Sequence, residues 1–141
     1  MSCLDCVRAN SDRISVSNTL GIDGGAITIS MWFNLATQPG LNEQYYMCNQ
    51  ANNVSKVDYM IYYIDVAGTK SLRAYRNREG VADVNATWTT TLSTDTWYFL
   101  QLWYDGTDLK LFEGGVERAT AAASGTGTGA ETDIFEVGAR R

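Results

Sequence analysis

Residues 97–118 read WYFLQLWYDGTDLKLFEGGVER. Seven of the first eight residues are apolar or aromatic. Alternation places Tyr98, Leu100, Leu102 and Tyr104 on one face, which is the two-residue period of a strand and not the period of a helix. Asp105-Gly106 then opens a tight turn of the hairpin type. The return run offers Leu109 and Leu111 to the same side, and EGG (113–115) breaks the chain again. The stretch therefore predicts two antiparallel strands hinged on a short turn, with one shared apolar face.

The same punctuation recurs along the rest of the chain. RISVS (13–17) alternates, and the turn LGIDGG follows. AITISMWFNL (26–35) sets Ile27, Ile29, Met31 and Phe33 on one face and Thr28, Ser30, Trp32 and Asn34 on the other. Further strands are expected at 45–50, 58–66, 71–77, 86–93, 97–104, 108–114 and 133–141, making about nine in all. The run 58–66 is apolar on both faces, and its β-branched and tyrosine content argues against a helix. NNVSK is read as a loop, and the small-residue segment TAAASGTGTGAE (120–131) as a surface loop. No repeat or domain boundary interrupts the 141 residues. The expectation is one all-β domain over 1–141, an antiparallel jelly-roll β-sandwich.

Composition narrows the function classes. The chain is 45% hydrophobic and 11% aromatic, with Gly plentiful and a single Pro, which suits strands joined by glycine turns. Its net charge is −5, and its densest basic stretch is LRAYRNR, with Arg73, Arg76 and Arg78. Nucleic-acid binding needs a basic face, so no nucleic-acid partner is expected. With no histidine, His-based catalysis and His-ligated metal sites are excluded. Cys3 and Cys6 form a CxxC, but only Cys48 remains to complete a zinc set, so ordinary thiols are expected. The N-terminal MSCLDCVRANSD lacks the apolar core of a signal peptide, and no run reaches a membrane span, so no membrane partner is expected.

The pattern Trp-x-x-hydrophobic-x-hydrophobic-x-Tyr-Asp-Gly followed by Leu-(Phe/Tyr)-x-x-Gly resembles the laminin-G-like, or concanavalin A-like, lectin/glucanase jelly-roll family. The matching residues are Trp97, Leu100, Leu102, Tyr104, Asp105, Gly106, Leu111, Phe112 and Gly115. ITISMWF (27–33), with Trp32, resembles the family's long early strand, and FEVGAR (135–140) its late strand. Glu113 departs from the family's usual apolar residue. The family's closing strand, which lies beside the first, has no counterpart before Arg141. Either segment 1–13 or a sheet variant fills that place, or a neighbouring subunit does. In the second case the protein is a homo-oligomer that pairs with itself, or with other structural proteins, through a sheet edge.

The resemblance also frames the candidate sites. Glu131, Asp133 and Glu136 in ETDIFE are similar to the catalytic run of laminarinase-like glycoside hydrolases, where the first Glu is nucleophile and the last the general acid. Thr132 departs from that pattern, and Phe135 and Val137 read as core, so no enzymatic activity is expected. Family members often hold a calcium ion on a rim, and Asp23, Asp105 and Asp108 are the candidate ligands. Trp88, Trp97, Trp103, Tyr62 and Tyr75 are the candidates for stacking on a glycan or packing on a partner. Asn53 and Asn85 each begin an N-x-[ST] triplet, read as accidental without a secretion signal. The leading expectation is a non-enzymatic structural or adhesion protein on a virion surface, such as a phage capsid decoration or tail component made in the host cytoplasm. The alternatives are a secreted carbohydrate-binding module and a small glycoside hydrolase.

Overall fold

The computed structural model describes residues 14–16, 25–53, 56–78, 81–125 and 134–137. Among them are ten strands and no helix. The strands are β1 (Ile14–Val16), β2 (Ile27–Asn34), β3 (Gln44–Asn53), β4 (Lys56–Val66), β5 (Thr69–Arg78), β6 (Val81–Thr89), β7 (Trp97–Tyr104), β8 (Asp108–Glu113), β9 (Val116–Ala122) and β10 (Ile134–Val137). A six-stranded sheet runs β1-β10-β3-β4-β5-β6, and a four-stranded sheet runs β2-β7-β8-β9. Every pairing is antiparallel. This is the jelly-roll sandwich that the alternating pattern predicts.

The core forms where the two inner faces meet. Leu100, Leu102 and Tyr104 of β7 and Leu109 and Leu111 of β8 are buried, opposite Tyr59, Ile61 and Tyr63 of β4 and Leu72 and Ala74 of β5. Ile27, Ile29, Met31 and Phe33 of β2 pack against this cluster from the sheet edge. Leu102 pairs with Leu111 and Tyr104 with Leu109, so the hairpin reads as the opening stretch requires. Its turn is held by the Asp105 carboxylate, whose Oδ1 accepts the backbone N–H of Thr107 and Asp108, each at 2.8 Å.

Three expectations change. The strand anticipated at 86–93 ends at Thr89. From there the chain turns inward: Leu92 is buried, and its N–H donates to the Tyr63 hydroxyl at 3.0 Å. β3 extends through Asn53 and β4 begins at Lys56, so Asn52, Asn53 and Lys56 of the NNVSK stretch are strand. The segment taken as loop from Thr120 is partly strand. Gly114 and Gly115, with φ of 59° and 81°, close a two-residue turn, and β9 returns along β8 as far as Ala122. Its inward residues are small: Ala119 and Ala121 pack against the core, and Ala123 beyond the strand is fully buried.

β1 pairs with β10 and forms one edge of the six-stranded sheet, placing Ile14 opposite Val137. Segment 1–13, a candidate to fill the closing-strand position, lies outside the described residues. Among the described residues β2 pairs with β7 alone, which leaves its other edge without a strand.

Candidate functional site

Because β7 commits its even-numbered residues to the core, its odd-numbered ones face outward. These are Trp97, Phe99, Gln101 and Trp103. Register sets Asn34, Trp32, Ser30 and Thr28 of β2 beside them in that order. On the other flank, Phe112 lies opposite Gln101 and Lys110 opposite Trp103. The outer face of the four-stranded sheet is thus an aromatic surface with a polar seam. Trp32 is 65% exposed, Trp97 55% and Trp103 36%. Isolated exposed apolar residues need no explanation, but a contiguous set does.

The rings are grouped in two pairs. The Trp32 and Phe99 centroids are 5.2 Å apart, and those of Trp103 and Phe112 are 6.3 Å apart, both tilted. Between the pairs, Gln101 Nε2 donates to Ser30 Oγ at 3.2 Å. A shallow open depression of about 260 Å³ lies beside the second pair, lined by Thr28, Gln101, Trp103, Phe112 and Gly115. Gly115 has no Cβ to fill it and sits at positive φ in the β8–β9 turn. The Lys110 ammonium lies 5.0 Å from the Trp103 ring centroid and forms an ion pair with Glu117 Oε2 at 3.1 Å, so its charge is compensated. Such a surface offers apolar ring faces, an amide and a hydroxyl, which suits an amphipathic, uncharged ligand.

The structure divides the sequence candidates among three places. Trp97 and Trp103 share the aromatic face. Trp88 is half-buried, packs against the core, and has the Arg118 guanidinium 4.8 Å from its ring centroid. Tyr62 and Tyr75 belong to the outer face of the other sheet. Tyr62 is only 6% exposed, and its hydroxyl donates to Asn85 Oδ1 at 2.8 Å. Neither Trp88 nor Tyr62 therefore presents an open ring. Sequence reasoning left out Trp32, Phe99 and Phe112. The alternation had already turned Trp32 away from the core side of β2, but its neighbours on that face follow only from the strand register.

The calcium candidates separate in the same way. Asp23 lies outside the described residues. Asp105 and Asp108 flank the β7–β8 turn, where Asp105 Oδ1 is occupied by two backbone donors that hold its carboxyl below the usual aspartate range. Among the described residues no three carboxylates or thiols converge as a cation site requires. Glu131 and Asp133 also lie outside the described residues, and of Glu136 only the backbone position in β10 is described. No helix among the described residues is long and apolar enough to cross a membrane.

A sequence profile of the concanavalin A-like lectin/glucanases superfamily, of the laminin-G type, matches residues 8–141. The chain belongs to that superfamily. No curated protein sequence matches it. Its fold is similar to domain 4 of the extracellular arabinanase AbnA from Geobacillus stearothermophilus, solved with arabinotriose, at 14% identity and a TM-score of 0.66. That match covers 91% of this chain and 58% of the other, so the superfamily member described here spans just over half of the arabinanase chain. Caenorhabditis elegans galectin LEC-6 is similar at 12% identity and a TM-score of 0.54, over 91% of this chain and 82% of the galectin. Mouse laminin α1 domains LG4-5 are similar at 16% identity and a TM-score of 0.54, over 93% of this chain and 35% of the laminin chain. At these identities the similarity establishes the fold, and function has to be argued from the site.

Proposed function

We propose that this domain is a non-catalytic, lectin-like adhesion module that binds carbohydrate on the outer face of its four-stranded sheet. The observation that carries this reading is the Trp103–Phe112 pair beside an open depression that Gln101 and Thr28 also line. A sugar ring has an apolar C–H face and a hydroxyl rim. The aromatic rings match the first, and the amide and hydroxyl match the second. The arabinotriose in the structure of the arabinanase domain supports an oligosaccharide ligand for this fold. Glycan titration followed by tryptophan fluorescence tests the reading. At least one neutral oligosaccharide is expected to shift the emission, and Trp103→Ala is expected to weaken it about tenfold. An affinity unchanged in Trp103→Ala would remove this face from the reading, and reducing-sugar release from a bound glycan would replace binding with catalysis.

A second reading rests on the β2 edge, which has no strand beside it among the described residues. An unpaired edge is a template for another strand. In this reading the module is a building block of an assembled particle, such as a virion, and a second copy pairs along β2. The aromatic face then serves the particle's attachment to glycans outside the cell.

A further inference from the structure

The opposite outer face, on the six-stranded sheet, has a different chemistry. Core residues Leu72, Ala74 and Arg76 fix the parity of β5, so Ser71, Arg73, Tyr75 and Asn77 face the other way. Register brings Tyr62 of β4 to one side of Arg73 and Thr87 of β6 to the other. Arg73 is half-buried. Its Nε donates to Ser71 Oγ at 3.0 Å, one Nη reaches the Tyr62 hydroxyl at 3.5 Å, and its guanidinium carbon lies 5.9 Å from the Tyr62 ring centroid.

These contacts orient the guanidinium without neutralising it. Lys70, Lys110 and Arg118 each hold a carboxylate, on Asp65, Glu117 and Glu113 respectively. Among the described residues Arg73 has no carboxylate at ion-pair distance. The outward carboxylate of β6, Asp83, acts on Tyr75: burial first, and Asp83 next, push the Tyr75 phenol well above its ordinary value. Asn77 Nδ2 donates to the Tyr75 hydroxyl at 3.5 Å. Arg73 is therefore a positioned planar fork with free donors, set among hydroxyls and amides.

We infer that this face binds the carboxylate of an acidic saccharide, a uronate, at Arg73, with Thr87, Tyr75 and Asn77 around it meeting the sugar hydroxyls. A guanidinium and a carboxylate are complementary in plane and charge and form paired hydrogen bonds. The chain's net charge of −5 opposes an anion at a distance. Salt screens that repulsion beyond about 8 Å, while a direct fork contact is screened far less. This site is separate from the aromatic face and stands without it.

The test is titration of isotopically labelled protein with trigalacturonate and with neutral galactotriose, read by amide chemical shifts and by calorimetry. Trigalacturonate is expected to shift the amides of Tyr62, Arg73, Tyr75 and Asn85, and galactotriose to leave them in place. Arg73→Gln is expected to weaken binding about tenfold, the cost of losing hydrogen bonds to a charged group. Arg73→Lys keeps the charge without the fork and is expected to fall between the two, which keeps the test valid if Arg73→Gln fails to fold. Trp103→Ala is expected to leave uronate binding unchanged. Equal shifts from the neutral sugar, undiminished affinity in both Arg73 variants, or shifts confined to β2, β7 and β8 would each overturn the assignment.

Discussion

At the scale of single residues, two positions show how this sequence tolerates local cost. Arg76 is fully buried between the Tyr59 and Tyr104 rings, with its guanidinium carbon 4.1 Å from the Tyr104 centroid. Desolvating a guanidinium is expensive, and here it is offset by hydrogen bonds to the Ala123 and Gly125 carbonyls at 2.6 and 2.7 Å. The side chain thereby ties β5 to the chain leaving β9. Ala67 is the other position. Three described non-glycine residues have positive φ, and two of them, Asn42 and Asp95, are short polar types that accept it readily. Ala67, at φ 51° in the β4–β5 turn, is not. Its side chain is exposed, so an exchange there changes backbone preference and little else. Ala67→Asn is expected to stabilise the fold by about 0.5–1 kcal/mol, part of the left-handed penalty for an L-residue. Chemical denaturation measures this directly, and an unchanged midpoint would mean that the turn carries no such penalty.

At the scale of elements, the hairpins share a device that predicts an acid response. Asp65 closes the β4–β5 turn by accepting the Gly68 N–H at 2.8 Å and the Lys70 ammonium at 2.6 Å. Asp105 closes β7–β8 with its two backbone donors. Both carboxyls are held below the ordinary 3.8, Asp65 chiefly by Lys70 and Asp105 chiefly by the Asp108 N–H. A depressed carboxylate binds protons more weakly in the folded chain than in the unfolded one. Its stabilisation is therefore complete above the unfolded value and disappears as pH falls through the folded one. Unfolding midpoints should hold from neutral pH down to about 4 and drop below it, and Asp65→Asn should flatten part of that drop. An equally steep fall in Asp65→Asn would show that other groups govern it. The elements themselves were legible to different degrees. β2, β7 and β8 carry clean alternation because one of their faces is buried and the other is not. β9 does not, because its core positions are Ala119 and Ala121, too small to register as apolar period-two signals. The reading of 86–93 ran too long because Thr90 to Ser93 are β-compatible in type, and a long-range bond from Leu92 to Tyr63 bends them out of the strand. The site was legible only in part for a related reason. Period two shows which residues leave the core, but which of them become neighbours depends on register between strands distant in sequence.

At the scale of the whole molecule, the two outer faces and the β2 edge stand in a definite relation. Among the described residues β2 is an edge strand and carries Trp32, so whatever pairs along β2 abuts the aromatic face. A second copy pairing antiparallel along β2 would join two four-stranded sheets about a two-fold axis, bringing the two Trp32 side chains onto one continuous surface. The edge reading and the glycan reading are then coupled, since pairing doubles the stacking surface and raises avidity without any new contact. If this holds, light scattering across a range of concentrations should give a dimer that Trp32→Lys dissociates, because like charges beside a two-fold repel. Glycan affinity measured on a multivalent surface should fall in parallel, while affinity for a single soluble oligosaccharide at the Trp103 depression should fall far less. A monomer at every concentration would end the edge reading and leave the aromatic face to act alone. A dimer that survives Trp32→Lys would place its interface elsewhere, and the six-stranded sheet would be the next surface to probe, with the Arg73 titration repeated on the dimer.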